Sequence, residues 1–85
     1  MHTLIFTVQF DKSFSKIKDY VVKKQIWNKI FELENRVPIG KKLKGNPYWS
    51  IHVNKYRIIY EFDDEEVRIA DILLRKNSYR DIPER

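Results

Sequence analysis

Residues Trp49 to Phe62 read WSIHVNKYRIIYEF. Aromatic and β-branched residues fill this stretch, as strand interiors prefer, and Asn54-Lys55 interrupts it where a tight two-residue turn fits. The reading is a β-hairpin, yet His52, Arg57 and Glu61 stand inside its strands. Strand alternation sorts the side chains. Trp49, Ile51 and Val53 join Tyr56, Ile58, Tyr60 and Phe62 in a strongly apolar set. Tyr48, Ser50 and His52 oppose them, together with Arg57, Ile59 and Glu61. The apolar set is expected to face helices. His52 and Arg57 then emerge together on the uncovered face beside the turn, with Tyr48 and Ser50 extending that face.

Downstream, Val67–Arg75 reads as a third strand after a turn at Asp63-Asp-Glu-Glu66, which makes an antiparallel meander. Both of its alternating sets are mixed, as in an apolar strand inside a sheet, so pattern alone assigns no face. Upstream, Val37–Pro47 holds both glycines and two prolines and reads as a loop carrying Lys41, Lys42 and Lys44. His2–Phe10 alternates as a half-buried strand, and Asp11 to Ser13 offers N-cap side chains for a helix after it. From Phe14 the apolar residues recur at three and four: Ile17, Val21, Val22, Ile26, Ile30, Leu33 and Val37, widened by Trp27 and Phe31. A break near Asp19-Tyr20 would divide this run into two helices, with Asp19 capping the second, and Pro38 ends it near Arg36. The polar tail Lys76–Arg85 is expected to fray. The predicted order is β-α-α-β-β-β in one domain over residues 1–85: an α+β fold, with a small mostly antiparallel sheet and a helical hairpin packed on one face.

Composition narrows the class. A chain of 85 residues is one small domain, and its 14% aromatic content argues against disorder. Cysteine is absent and the two histidines are far apart, which excludes disulfides and thiolate sites and offers no metal-ligand spacing. No cofactor is expected. The N-terminus alternates rather than forming an apolar signal core, and no run approaches the roughly 20 apolar residues of a membrane span. A soluble cytoplasmic protein with no membrane partner is expected. The net charge of +5 is unevenly spread. Residues 40–60 carry Lys41, Lys42, Lys44, Lys55 and Arg57 and no acid, whereas residues 61–66 carry five acids and no base. A basic block attracts polyanions, although a lysine-rich solubilising surface has the same composition.

A basic face with aromatic neighbours suits single-stranded RNA, where Arg and Lys hold phosphates and a ring stacks on a base. Arg stays charged and donates two parallel hydrogen bonds, which suits a phosphoryl transition state. A histidine that titrates near neutrality can move the proton of an attacking 2′-hydroxyl. The bland alternatives are concrete. They read His52 as polar surface, Arg57 as a partner of Glu61, and Trp27 and Trp49 as core.

The stretch Lys42-Leu-Lys-Gly-Asn-Pro-Tyr-Trp-Ser50, followed by Tyr56-Arg-Ile-Ile-Tyr60, resembles the RelE/ParE superfamily of small bacterial and archaeal toxins. Val67-Arg-Ile-Ala-Asp-Ile-Leu-Leu-Arg-Lys-Asn-Ser-Tyr-Arg80 looks like the family's final strand and its closing Arg…Tyr element, so the resemblance covers nearly the whole chain. It implies the RelE-like microbial RNase architecture. It also implies a type II toxin, inhibiting translation as a metal-independent, ribosome-dependent endoribonuclease that cleaves mRNA in the A site. The implied partners are the ribosome, mRNA and a cognate antitoxin that wraps the toxin. Arg57 and Arg75 would be the phosphate-binding, transition-state arginines, and Tyr79 the residue that positions a base. Ser50 and His52 fall where RelE-type members carry basic side chains. Lys41, Lys42, Lys44, Lys55 and Arg80 would hold RNA. Three positions depart from the family: Leu74 replaces a histidine, Lys41 or Lys42 stands where some members have a glutamate base, and Ser50 replaces a basic residue. His52 is the candidate replacement base. The ParE branch, which inhibits DNA gyrase without RNase chemistry, and a catalytically degenerate RNA- or antitoxin-binding module are the alternatives. The Arg57, Arg75, Tyr79 set favours RelE over ParE.

Overall fold

The computed structural model describes residues 1–75. It begins with β1 (Thr3–Phe6), α1 (Val8–Ser15) and α2 (Tyr20–Glu32). Four more strands follow: β2 (Lys41–Lys42), β3 (Trp49–Val53), β4 (Tyr56–Phe62) and β5 (Glu66–Leu74). The five strands form one sheet in the order β1-β5-β4-β3-β2. β3, β4 and β5 form the expected antiparallel meander, while β1 runs parallel to β5, Thr3 opposite Glu66 and Phe6 opposite Ile69. The α+β class and the helical hairpin on one face hold.

The hairpin turns where expected. Asn54 takes φ 57, the left-handed conformation that primed hairpin turns need at that position and that Asn tolerates. Its side-chain amide donates to Gln25 Oε1 (3.2 Å), tying the turn to α2. Asp19 caps α2 as read, its carboxylate accepting from the Val21 and Val22 amides (2.9 and 3.4 Å).

The first boundary differs. The strand ends at Phe6 and α1 starts at Val8, inside the stretch read as strand. Phe6, Phe10 and Phe14 are four residues apart, a spacing that both the strand and the helix period satisfy. The cap is Thr7, whose hydroxyl accepts from the Phe10 amide (3.0 Å) and donates to the Ala70 carbonyl (2.7 Å). Asp11 and Ser13 lie within α1 instead, and Ser13 Oγ donates to the buried Asp71 carboxylate at 2.5 Å. The segment read wholly as loop contains β2, whose two residues pair with β3: Lys41 opposite Ser50, Lys42 opposite Trp49.

The mixed pattern of β5 has a structural cause. Opposite β4 the register skips Ala70: Ile59 faces Asp71 and Tyr60 faces Ile69. This bulge resets the alternation. Val67, Ile69 and Ile72 therefore join Ile51, Val53, Ile58 and Tyr60 in the main core beneath Phe10, Val22, Ile26, Ile30 and Leu33. Val21 and Phe31, read as part of that core stripe, are exposed, at 61% and 52%.

The face opposite the helices is not bare. Leu43, Tyr48, Ile59 and Ala70 form a second buried cluster there, with Leu73 against it. The loop after β2 folds back over the sheet, with the Leu43 amide donating to the Tyr48 carbonyl (2.9 Å) and the Tyr48 amide to Asn46 Oδ1 (2.9 Å). Tyr48 and Ser50 therefore do not extend the open surface as expected: they are 5% and 4% exposed.

Candidate functional site

His52 on β3 and Arg57 on β4 are direct register partners one step from the Asn54-Lys55 turn, so their side chains leave the same face of the sheet. His52 is exposed and Arg57 half-buried. Arg75 joins them from the end of β5, where its amide donates to the Lys55 carbonyl (2.8 Å) and holds the chain beside the turn. Lys41 comes from β2, opposite Ser50 and therefore on the flank of the same face. These placements converge on one imidazole. The His52 pKa is lowered from its ordinary 6.5, first by desolvation, then by the positive charges of Arg57, Arg75 and Lys41. All three charges named there are cationic. At neutral pH His52 is therefore a neutral ring among cations, able to accept a proton.

Two structural devices set Lys41 in place. Gly40 takes φ 93, and a Cβ there would lie 2.2 Å from the Ser50 carbonyl oxygen, so the close passage of the chain over β3 requires glycine. Just before it, the Ile39 amide donates to the Tyr60 hydroxyl (2.8 Å), which donates back to the Ile39 carbonyl (2.6 Å). Tyr60 is fully buried, and burial raises its pKa. Between the two strands lies a pocket of about 250 Å³ lined by Gly40, Lys41, Ser50 and His52. A neighbouring pocket of about 310 Å³ is lined by Lys41, Lys42, Leu43, Lys44 and Asn46, and Lys42 Nζ donates to the Asn46 carbonyl there (2.9 Å).

Lys55 and Leu74 separate from this cluster. The Lys55 ammonium lies 5.8 Å from the ring centre of Tyr56, a member of the helix-facing row, so it leans away from His52. Ser50 lines the pocket, but its hydroxyl is buried and, among the described residues, has no hydrogen-bond partner. Leu74, at the position of the family histidine, pairs with Tyr56 and belongs to the helix-facing row. Tyr79 and Arg80 lie outside the described residues.

The acidic block has its own organiser. Arg68 pairs with Glu66 (2.9 Å), Asp63 (3.1 Å) and Glu61 (3.8 Å). Asp63 also accepts from the Glu65 and Glu66 amides (both 2.9 Å). Those amide bonds, then Arg68, lower its pKa to about 2. Glu61, Asp63 and Glu66 thus gather around Arg68 at the end of β4 away from the His52–Arg57 pair.

The geometry offers clustered positive charge and one proton acceptor on an exposed sheet face, which suits a phosphodiester. Among the described residues no group of three or more His, Cys, Asp or Glu side chains is placed to hold a metal ion. No helix among them is long and apolar enough to cross a membrane.

Sequence comparison matches residues 4–79 to the family described as the ParE toxin of the type II toxin–antitoxin system, parDE. No curated protein matches significantly. Among solved structures, the isolated RelE toxin of E. coli aligns with a TM-score of 0.75 at 26% identity, over 92% of this chain and 88% of that one. The RelB–RelE antitoxin–toxin complex of Methanococcus jannaschii aligns with a TM-score of 0.74 at 27% identity, over 93% of this chain and 99% of that one. A chromosomal ParDE system of P. aeruginosa aligns with a TM-score of 0.74 over 87% and 96% of the two chains; at 13% identity it speaks for the fold alone.

Proposed function

Because the chain belongs to the ParE toxin family of type II toxin–antitoxin systems, within the RelE/ParE superfamily, we propose that it acts as a RelE-like toxin that cleaves mRNA on the ribosome. The observation that carries this reading is the placement of Lys41, Arg57 and Arg75 about His52 on one face of the sheet, charges that lower the pKa of its imidazole. In the proposed reaction the 2′-oxygen of a ribose attacks the adjacent phosphorus and the 5′-oxygen of the next nucleotide leaves. His52 takes the 2′-hydroxyl proton, and the leaving oxygen takes one from water. Arg57 and Arg75 stabilise the charge that builds on the phosphoryl oxygens. Lys41, Lys42 and Lys44 hold the flanking backbone, so affinity for RNA falls steeply with salt. Tyr79 and Arg80 are proposed to orient and grip the nucleotide from the C-terminal segment. The proton machinery is sparse beside that implied for the family, given Leu74 and Ser50, and the ribosome supplies substrate alignment in compensation.

The partners proposed are the ribosome with its mRNA, and a cognate antitoxin. The antitoxin is supported by the RelB–RelE complex among the similar structures. A target on ribosomes places the activity in the cytoplasm. A second reading has a specific observation in its favour, since the matched family is described by ParE. In that reading the same basic face meets DNA gyrase. A purified translation system and a gyrase supercoiling assay, run side by side, separate the two. Arrest of translation with normal supercoiling is expected, and the reverse pattern overturns the RNase reading.

A further inference from the structure

β2 pairs with β3 only at Trp49 and Ser50, so His52 and Val53 lie beyond it along the edge of the sheet. α2 borders that edge. Its Gln25, Asn28, Lys29 and Glu32 are spaced three and four apart and share one helix face. Together with His52 and the turn residue Asn54, that face lines a cleft of about 360 Å³. Clefts that hold small ligands run from about 300 to 1,000 Å³. His52 therefore lines two cavities, this cleft on the α2 side and the Gly40–Lys41–Ser50 pocket on the β2 side.

The two cavities differ in chemistry. Lysines border the β2 side, which suits phosphate. The α2 side is neutral on balance, because Lys29 Nζ pairs with Glu32 at 3.3 Å and the other polar groups beside His52 are carboxamides. A phosphate there would meet Glu32 and a cation already paired. Carboxamides instead match the donors and acceptors on a base edge. Gln25 is partly committed, its Oε1 accepting from Asn54 Nδ2 (3.2 Å). Asn28 is exposed, and among the described residues its side chain has no hydrogen-bond partner. It offers an acceptor and a donor side by side, the complement of the N6 amino group and N7 of adenine. The reaction at His52 indicates which base comes here. A ribose that presents its 2′-hydroxyl to the imidazole carries its base on the adjacent carbon. The cleft begins at that imidazole, so this base lies in reach of α2 while the phosphate on its 3′ side is left to Arg57 and Arg75.

We propose that the cleft between α2 and the β3 edge is a base-reading subsite, in which Asn28 selects adenine on the nucleotide that supplies the attacking 2′-hydroxyl. This assignment rests on the RNase reading and extends it from the reacting phosphate to the base on its 5′ side. Asn28 Oδ1 accepts from adenine N6, and Asn28 Nδ2 donates to N7. Gln25 and Asn54, tied to each other, form the wall of the cleft nearest the turn. Asn28 is thus a specificity residue: it sets which base is presented to His52, and it takes no part in moving the proton.

The test has two arms, run on the full chain as wild type, Asn28→Ala and Lys44→Ala. In the first, isotope-labelled protein is titrated with short oligoribonucleotides that carry one uncleavable 2′-deoxy residue, with A, G, C or U as its base. In the second, primer extension follows ribosomal cleavage of four mRNAs that differ only at the nucleotide before the cut. Asn28 stands on an exposed helix surface where Ala is the better helix former, and amide spectra verify that each variant is folded. The expected result is a wild-type preference for adenine of about fivefold or more in both arms, with the Asn28 side-chain amide signals shifting on binding. Asn28→Ala removes that preference, whereas Lys44→Ala weakens all four substrates alike and keeps it. Equal binding and cutting of the four bases by the wild type overturns the proposal. So does an adenine preference that survives in Asn28→Ala, which places base reading elsewhere. A preference for another base that Asn28→Ala removes overturns the choice of adenine. Adenine-selective binding through Asn28 without any ribosomal cleavage leaves the cleft standing and removes the RNase reading, while cleavage indifferent to the base removes the cleft alone.

Discussion

Replacing Tyr60 by Phe tests how the core holds the working surface. The Tyr60 hydroxyl is the partner of both polar backbone groups of Ile39, at 2.8 and 2.6 Å, and the ring around it is fully buried. Phe keeps the ring, so almost no packing is lost. The hydroxyl's departure leaves the Ile39 amide and carbonyl without that partner in a half-buried site. Each orphaned group costs about 1–3 kcal/mol when fully buried, so about 2 kcal/mol in total is expected here. For a domain of this size that corresponds to a fall in Tm of roughly 10 °C. Ile39 adjoins Gly40 and Lys41, so the damage extends to the basic face. Urea unfolding gives the stability change, and amide exchange at Ile39 reports its location. Oligoribonucleotide affinity should fall by a few-fold, through a less fixed Lys41. A loss below about 0.5 kcal/mol, with Ile39 still protected from exchange, would refute the reasoning, because the hydroxyl then contributes no net clamp.

Three other outcomes follow from the same geometry. His52→Ala should lower ribosomal cleavage far more than Lys44→Ala, because His52 sits among Arg57, Arg75 and Lys41 while Lys44 lines only the neighbouring pocket; equal small effects in a single-turnover assay would remove His52 as the base. Asp63 has a folded pKa lowered to about 2 from an ordinary 3.8, so its contribution is complete above pH 3.8 and is lost as pH falls towards 2. The acid-unfolding curve of Asp63→Ala should therefore meet that of the wild type near pH 2 and lie below it at neutral pH; parallel curves would contradict this. Gly40→Ala sets a Cβ 2.2 Å from the Ser50 carbonyl oxygen at φ 93, and a loss of about 2–4 kcal/mol in chemical unfolding is expected, against no change if the chain simply shifts away.

The hairpin was legible because its turn and its alternation agree: Asn54 supplies the left-handed residue and WSIHV and YRIIYEF each keep one apolar face. Asp19 was legible for a similar reason, as a capping residue standing just ahead of a helical repeat. The places that resisted are those where two rules coincide or where the partner is distant. Phe6, Phe10 and Phe14 satisfy both periods, and only the contact of Thr7 with Ala70, across 63 residues, settles the boundary. The bulge at Ala70 scrambles the β5 pattern, and nothing local announces it. β2 consists of two lysines, whose residue type says nothing of a strand. Of the site, Arg57 facing His52 follows from the turn register alone. Arg75 and Lys41 arrive through β5 and β2, and the parallel placement of β1 against β5 has no signature in sequence. Phe31 was misread because a helical stripe can be continuous while only part of it meets the core.

The most direct measurement maps cuts on a defined mRNA held by ribosomes with an empty A site, by primer extension, for the wild type, Arg57→Ala and Arg75→Ala. Loss of one preorganised cationic contact to the reacting phosphate typically costs about 10²–10³ in rate. The account predicts cleavage within the A-site codon by the wild type and a loss of that order in each variant. Intact mRNA and unimpaired translation with the folded wild type, or cleavage undiminished by either substitution, would contradict it.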